Sequence, residues 1–131
     1  MSGDRRTVHA DAAPAAVGPY SHAVAAGGLL FCSGQIPLDP ESGELIEGGA
    51  ADQARRCLEN LRAVCEAAGG SLDDAVRIGV FLTDLPGDWA EVNEAYGEYF
   101  GDDPPARAAL GVAALPKGAR VEIEAVVALG R

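Results

Sequence analysis

Arg120-Val121-Glu122-Ile123-Glu124-Ala125-Val126-Val127-Ala128-Leu129 is the stretch that decides the fold, because apolar residues fall at every second position. Period two belongs to a β-strand, so Val121, Ile123, Ala125, Val127 and Leu129 share one face and Glu122, Glu124, Val126 and Ala128 the other. The second face is mostly small and apolar, and its two carboxylates stand out. Upstream, Arg107 is followed by Ala108-Ala109-Leu110-Gly111-Val112, and a guanidinium in so apolar a run is costly to bury unless an anion meets it. That anion is either a carboxylate of the protein, Glu122 or Glu124 holding the strand in register, or a carboxylate of a ligand.

Two helical periodicities lie upstream of these strands. From about Ala50 to Ala68, Ala54, Cys57, Leu58, Leu61, Val64, Cys65 and Ala68 recur at three and four, with Arg55, Arg56, Glu59 and Arg62 opposite. Gly69-Gly70 stops that helix. A second helix is expected over Trp89–Phe100, with Asp88 as its N-cap after a break at Pro86-Gly87, ending at Gly101. Between the helices, Val76, Ile78, Val80 and Leu82 alternate with Arg77, Gly79 and Phe81 as a strand. Near the start, Tyr20–Val24 and Leu29–Ser33 read as a hairpin across Gly27-Gly28, and Asp39-Pro40-Glu41-Ser42-Gly43 as a surface loop. Thr7–His9 allows a short strand, and residues 1–13 are otherwise expected to be loose. Both helices are amphipathic on one side, which places them on one face of a single sheet in an α+β fold. Val, Ala and Leu on both faces of several strands point to oligomerisation.

With 131 residues the chain has the length of one domain, residues 1–131. Ten Lys and Arg against 20 Asp and Glu give a formal charge of -10, which repels phosphate backbones and anionic lipid, so neither nucleic acid nor membrane is an expected partner. The first long apolar run, Ala23 to Cys32, is broken by Gly27-Gly28 and is neither a signal peptide nor a membrane span. Cys32, Cys57 and Cys65 are odd in number and form no C-x-x-C pair, which argues against disulfides and zinc and for a reducing cytoplasm. His9 and His22 have no metal-ligand spacing and read as surface or turn histidines, so no metal is expected.

Six pieces follow one another in a telling order: Gly18-Pro19-Tyr20, Cys32-Ser33-Gly34-Gln35-Ile36-Pro37, Val80-Phe81-Leu82-Thr83-Asp84-Leu85, Val92-Asn93-Glu94-Ala95-Tyr96, Pro105-Ala106-Arg107, and Val121-Glu122-Ile123-Glu124-Ala125. In order and spacing, from about Pro14 to Leu129, the chain resembles the reactive-intermediate deaminase family, known as Rid or YjgF and also as endoribonuclease L-PSP. The resemblance implies a chorismate-mutase-like domain, a mixed sheet with two helices on one face. It also implies a homotrimer around a central barrel, with active sites in the clefts between subunits. The implied activity is hydrolysis of enamine and imine intermediates such as 2-aminoacrylate to 2-keto acids and ammonia, without a cofactor.

On that resemblance Arg107 holds the substrate carboxylate, a task suited to a planar guanidinium that stays charged when desolvated. Glu122 orients water and shuttles protons, while Glu124 is structural. Tyr20 and Ser33 offer hydroxyls to substrate or water, and Asn93 is a polar amide beside the apolar side of the second helix. Gly34 and the backbone near Ala109 are placed to bind carboxylate or amine. Many family members carry Cys where this chain has Ala109, so no thiol chemistry is expected there. Tyr96 and Tyr99 read as core. Two other functions compete with deamination: a trimer that binds small carboxylates or keto acids without turnover, and a pathway-specific relative acting on a larger biosynthetic intermediate. The charge and the lack of a basic aromatic groove argue against a ribonuclease.

Overall fold

The alternation at the C-terminal end produces the central strand of the sheet. A computed structural model describes residues 4–130. Its strands are β1 (Arg6–Val8), β2 (Ala23–Ala26), β3 (Leu29–Gln35), β4 (Ala75–Leu82), β5 (Ala106–Gly111) and β6 (Val121–Ala128), and its helices α1 (Ala50–Ala67) and α2 (Leu85–Gly97). They form one mixed sheet in the order β1-β2-β3-β6-β4-β5. Every pairing is antiparallel except β4 with β5, the two strands that α2 connects. A parallel pair needs such a crossover, and it leaves β5 as an edge strand.

Both helices cover the same face. Ile78, Val80 and Leu82 of β4 and Val121, Ile123, Ala125 and Val127 of β6 pack with Leu58, Leu61 and Val64 of α1 and Val92 and Ala95 of α2 in one buried cluster. Burial of such side chains contributes roughly 1.5–3 kcal/mol each before chain entropy is subtracted. Among the described residues the other face carries no helix, and Phe31, Val76 and Leu110 are each about half exposed. Among the described residues no helix is long and apolar enough to cross a membrane.

The end of α1 is set by its glycine pair. Gly69 adopts φ +82, a region costly for other residues, and the N–H groups of Gly69 and Gly70 donate to Glu66 O and Cys65 O at 3.0 and 2.9 Å. Asn60 and Gln53, buried on α1, turn outward to hold loops instead of core. Asn60 Nδ2 donates to Ile36 O and Leu38 O, and Gln53 Oε1 accepts from Arg120 N–H at 2.8 Å. Helix α1 thereby fixes both the exit from β3 and the entry to β6.

Four expectations need correction. The second helix begins at Leu85, not Trp89, because Asp84 caps it by accepting from Gly87 N–H at 3.2 Å, and proline is favourable in a first turn. Asp88 is therefore inside the helix, and it is buried against Arg120, whose Nη2 lies 2.7 Å from its carboxylate. The first hairpin strand lies at Ala23–Ala26 rather than Tyr20–Val24, since Gly18-Pro19-Tyr20 forms a tight turn closed by Tyr20 N–H on Gly18 O at 2.9 Å. The N-terminal segment expected to be loose pairs β1 with β2 and buries Val8, Ala10 and Ala13, while residues 1–3 lie outside the described part. His22 is the reason: it is 1% exposed rather than superficial, accepts Ala10 N–H on Nδ1 at 2.9 Å and meets Pro14 O through Nε2 at 2.8 Å.

The Asp88–Arg120 pair ties α2 to the start of β6. Arg120→Ala strands a buried carboxylate without its half-exposed partner and is expected to destabilise the fold by about 1–3 kcal/mol. Urea unfolding of the two proteins checks this, and an unchanged midpoint refutes it.

Candidate active site

Glu122 and Arg107 come to lie on opposite faces of the sheet. Strand register decides this: Arg107 pairs with Ile78, which faces the helices, whereas Glu122 pairs with Phe81, which faces away from them. Of the two anions left open for Arg107, Glu122 of its own chain is therefore not the one it meets. No ion pair joins Arg107 to a carboxylate among the described residues. Nor is Arg107 buried. It sits on the edge strand with its guanidinium carbon 4.9 Å from the ring centre of Trp89 and 4.6 Å from that of Tyr96. Asn93 Oδ1 accepts from its Nη1 at 2.8 Å.

Trp89, Asn93 and Tyr96 stand at spacings of four and three, so they form one stripe of α2 facing β5. The stripe satisfies the guanidinium with ring faces and one neutral amide, and its full positive charge stays available. Ala109, two residues along the same face of β5, lines a hollow of about 310 Å³ with Leu85, Pro86 and Trp89.

The open face holds the other predicted residues. A cleft of about 280 Å³ is lined by Tyr20, Ser33, Gly34 and Glu122, with Val17, Ile36 and Pro116 as apolar walls. Ser33 Oγ donates its proton to Ser21 O at 2.6 Å, which leaves the oxygen free to accept from water or an amine. Tyr20 is the reverse case: its oxygen accepts from Val17 N–H at 3.2 Å, and its own proton is free to be donated. Burial, and then the charge of Glu124, push the Glu122 carboxyl above the ordinary 4.5. Glu124 itself lies 3.6 Å from Arg77 Nη1, a half-exposed ion pair of small energetic weight.

Gly34 is what admits Glu122 to the cleft. A Cβ at this position would overlap the Glu122 carboxylate, so the glycine is required for close approach rather than for backbone conformation. Gly34→Ala is expected to leave the fold intact, since the carboxylate ends a flexible side chain that can swing aside. The displaced carboxylate should lower kcat by about a hundredfold, the cost of roughly 1 Å of misplacement. A kcat equal to wild type would show that Glu122 is not positioned by this contact.

The seven residues singled out in the sequence therefore form two groups. Asn93, Arg107 and Ala109 lie beside α2 and β5, and Tyr20, Ser33, Gly34 and Glu122 lie on the open face. Trp89 and Tyr96 grip the arginine, although Tyr96 reads from the sequence as core and Trp89 only as the start of a helix. The signal was their placement at i and i+7 around Asn93. The three cysteines are free and buried, and burial raises the Cys57 thiol well above its ordinary range.

Residues 10–129 match the family described as Endoribonuclease L-PSP. The chain is 53% identical over 124 residues to Protein DfrA of Myxococcus xanthus, covering 93% of this chain and 94% of that one. It is 47% identical over 126 residues to the human 2-iminobutanoate/2-iminopropanoate deaminase, covering 96% and 91%. The crystal structure of E. coli TdcF with bound serine superposes with a TM-score of 0.87 at 40% identity, covering 95% of this chain and 99% of that one.

Proposed function

Because the chain belongs to the Endoribonuclease L-PSP family, we propose that it hydrolyses short 2-imino and enamino acids, such as 2-aminoacrylate, to 2-keto acids and ammonia. The observation that carries this reading is the state of Arg107, oriented by Asn93, Trp89 and Tyr96 and paired with no carboxylate among the described residues. Such a guanidinium is a ready anchor for the carboxylate common to these substrates. The name of the human relative and the serine bound to TdcF agree with a small amino-acid-like ligand.

The active site is completed between subunits of a homotrimer whose open sheet faces line a central barrel. One subunit contributes Arg107, Asn93 and the backbone at Ala109, and its neighbour contributes Tyr20, Ser33, Gly34 and Glu122. Arg107 retains Nε and Nη2 for the substrate after Nη1 is given to Asn93. An enamine such as 2-aminoacrylate first gains a proton on its methylene carbon and loses one from nitrogen to become the imine; Glu122 then takes a proton from water as the oxygen adds to the imine carbon, and returns it to nitrogen. The hydroxyl proton of the resulting carbinolamine passes through Glu122 to the amine, the C–N bond breaks, and ammonia leaves as the carbonyl forms. In this reading Tyr20 donates to the carbinolamine oxygen as it becomes the carbonyl, and Ser33 accepts from the adding water.

The test couples a pyridoxal-phosphate serine dehydratase to this protein and follows the decay of 2-aminoacrylate. Faster decay with release of ammonia supports the proposal. Saturable binding of pyruvate without faster decay would instead favour a non-catalytic carboxylate binder. Light scattering is expected to give three times the 13.4 kDa subunit mass, and a monomer would remove the intersubunit site.

A further inference from the structure

Beside Arg107, on the helix side of the sheet, lies a second hollow of about 400 Å³, within the range of small-molecule sites. Phe100, Pro104 and Pro105 form apolar walls, Tyr96 an inner wall, and Arg107 stands at the rim. Gly97 and Gly101 leave the remaining wall bare. Neither glycine has a positive φ, and a Cβ on either would meet nothing within 4 Å. Backbone geometry and crowding therefore require glycine at neither position, and Gly97 closes a helix at up to about 1 kcal/mol relative to alanine. What the two glycines accomplish is to keep the hollow empty.

We propose that this hollow receives the apolar side chain of a 2-imino or 2-oxo acid whose carboxylate is held by Arg107, so that branched aliphatic acids are preferred over pyruvate-sized ones. The inference rests on the reading of Arg107 as the carboxylate anchor. Charge and shape agree on the occupant: a cation at the rim selects an anionic head, and proline, phenylalanine and bare glycine inside select a hydrocarbon body.

Trp89 is the chain's one tryptophan and lies under the Arg107 guanidinium, so its fluorescence reports a carboxylate arriving there. Titrating the full chain with pyruvate and with 4-methyl-2-oxopentanoate, with calorimetry in parallel, is expected to show the branched acid binding about tenfold more tightly. Gly97→Leu and Gly101→Leu, made separately so that one folding failure does not end the test, should each bring the ratio of the two dissociation constants to about one. Equal affinities in wild type overturn the proposal, as does a tenfold ratio that survives both substitutions. If neither acid binds, the carboxylate anchor itself is wrong and this inference falls with it.

Discussion

Arg107→Ala is expected to lower kcat/KM for 2-aminoacrylate hydrolysis by about a hundredfold or more while leaving the melting temperature nearly unchanged. Two charge-assisted hydrogen bonds to a carboxylate are worth roughly 1.5–3 kcal/mol each in a site shielded from water. The loss should appear in both KM and kcat, because the carboxylate is held in the ground state and also aligns the imine carbon. Stability should hardly change, since an exposed guanidinium over aromatic rings contributes only about 0.5–1 kcal/mol. Arg107→Lys retains the charge but not the planar fork or the stacking, and should fall between the two. Coupled dehydratase kinetics read the first effect and thermal unfolding the second. Wild-type kinetics in the alanine variant would sink the assignment, and a large drop in melting temperature would recast Arg107 as structural.

Much of this architecture was legible because hydrophobic period is a local property. The alternation in Val121–Ala128 yields a strand whose faces match the pattern, and so does that of Ile78, Val80 and Leu82, while a register shift between Ala75 and Arg77 turns Val76 out to solvent. The three-and-four spacing of α1 likewise yields a helix with Ala54, Cys57, Leu58, Leu61, Val64 and Cys65 inward. The misreadings were at places where a residue serves two structures. Proline and glycine at 86 and 87 looked like a break but occupy the first turn of α2, where the missing proton of proline costs nothing and Gly87 N–H feeds the Asp84 cap. His22 looked superficial because histidine usually is. Its two ring nitrogens meet two backbone groups of the N-terminal segment, a long-range match that no local pattern encodes.

The site was legible residue by residue but not in its geometry. Which face of a strand a side chain occupies can be read from alternation, yet the relative facing of Arg107 and Glu122 depends on the registers of β5 and β6 against β4. That register places the cation with the helices and the carboxylate on the bare face, so a pairing natural to propose from sequence is absent within one chain. Trp89 and Tyr96 were hidden for the opposite reason: an aromatic at helical spacing is usually core, and only the guanidinium lying across both rings separates these two from the rest.

Glu122→Gln should lower kcat by about a hundred- to ten-thousandfold with little change in KM, as expected when a proton shuttle is removed and the carboxylate anchor kept. The pH profile provides a second readout. Glu122 must be ionised to take a proton from water, and burial followed by the Glu124 charge raise its carboxyl above 4.5, so the acid limb of kcat should lie above the ordinary carboxylate range. Glu124→Gln removes the second cause and should move that limb to lower pH. Stability has the opposite sign from catalysis. A carboxyl whose folded value is raised favours the fold below its unfolded value, and that contribution is lost as pH rises through the folded value. At neutral pH the ionised Glu122 therefore burdens the fold, and Glu122→Gln should melt slightly higher than wild type while nearly inactive. The two inactive variants then test the intersubunit site directly. In a trimer where each site draws Arg107 from one chain and Glu122 from the next, co-expressing Arg107→Ala with Glu122→Gln restores both groups in about a quarter of the sites. Activity far above either parent is the expected result. A co-expressed mixture as inactive as its parents would require both residues to act from one chain, against the faces on which the sheet places them.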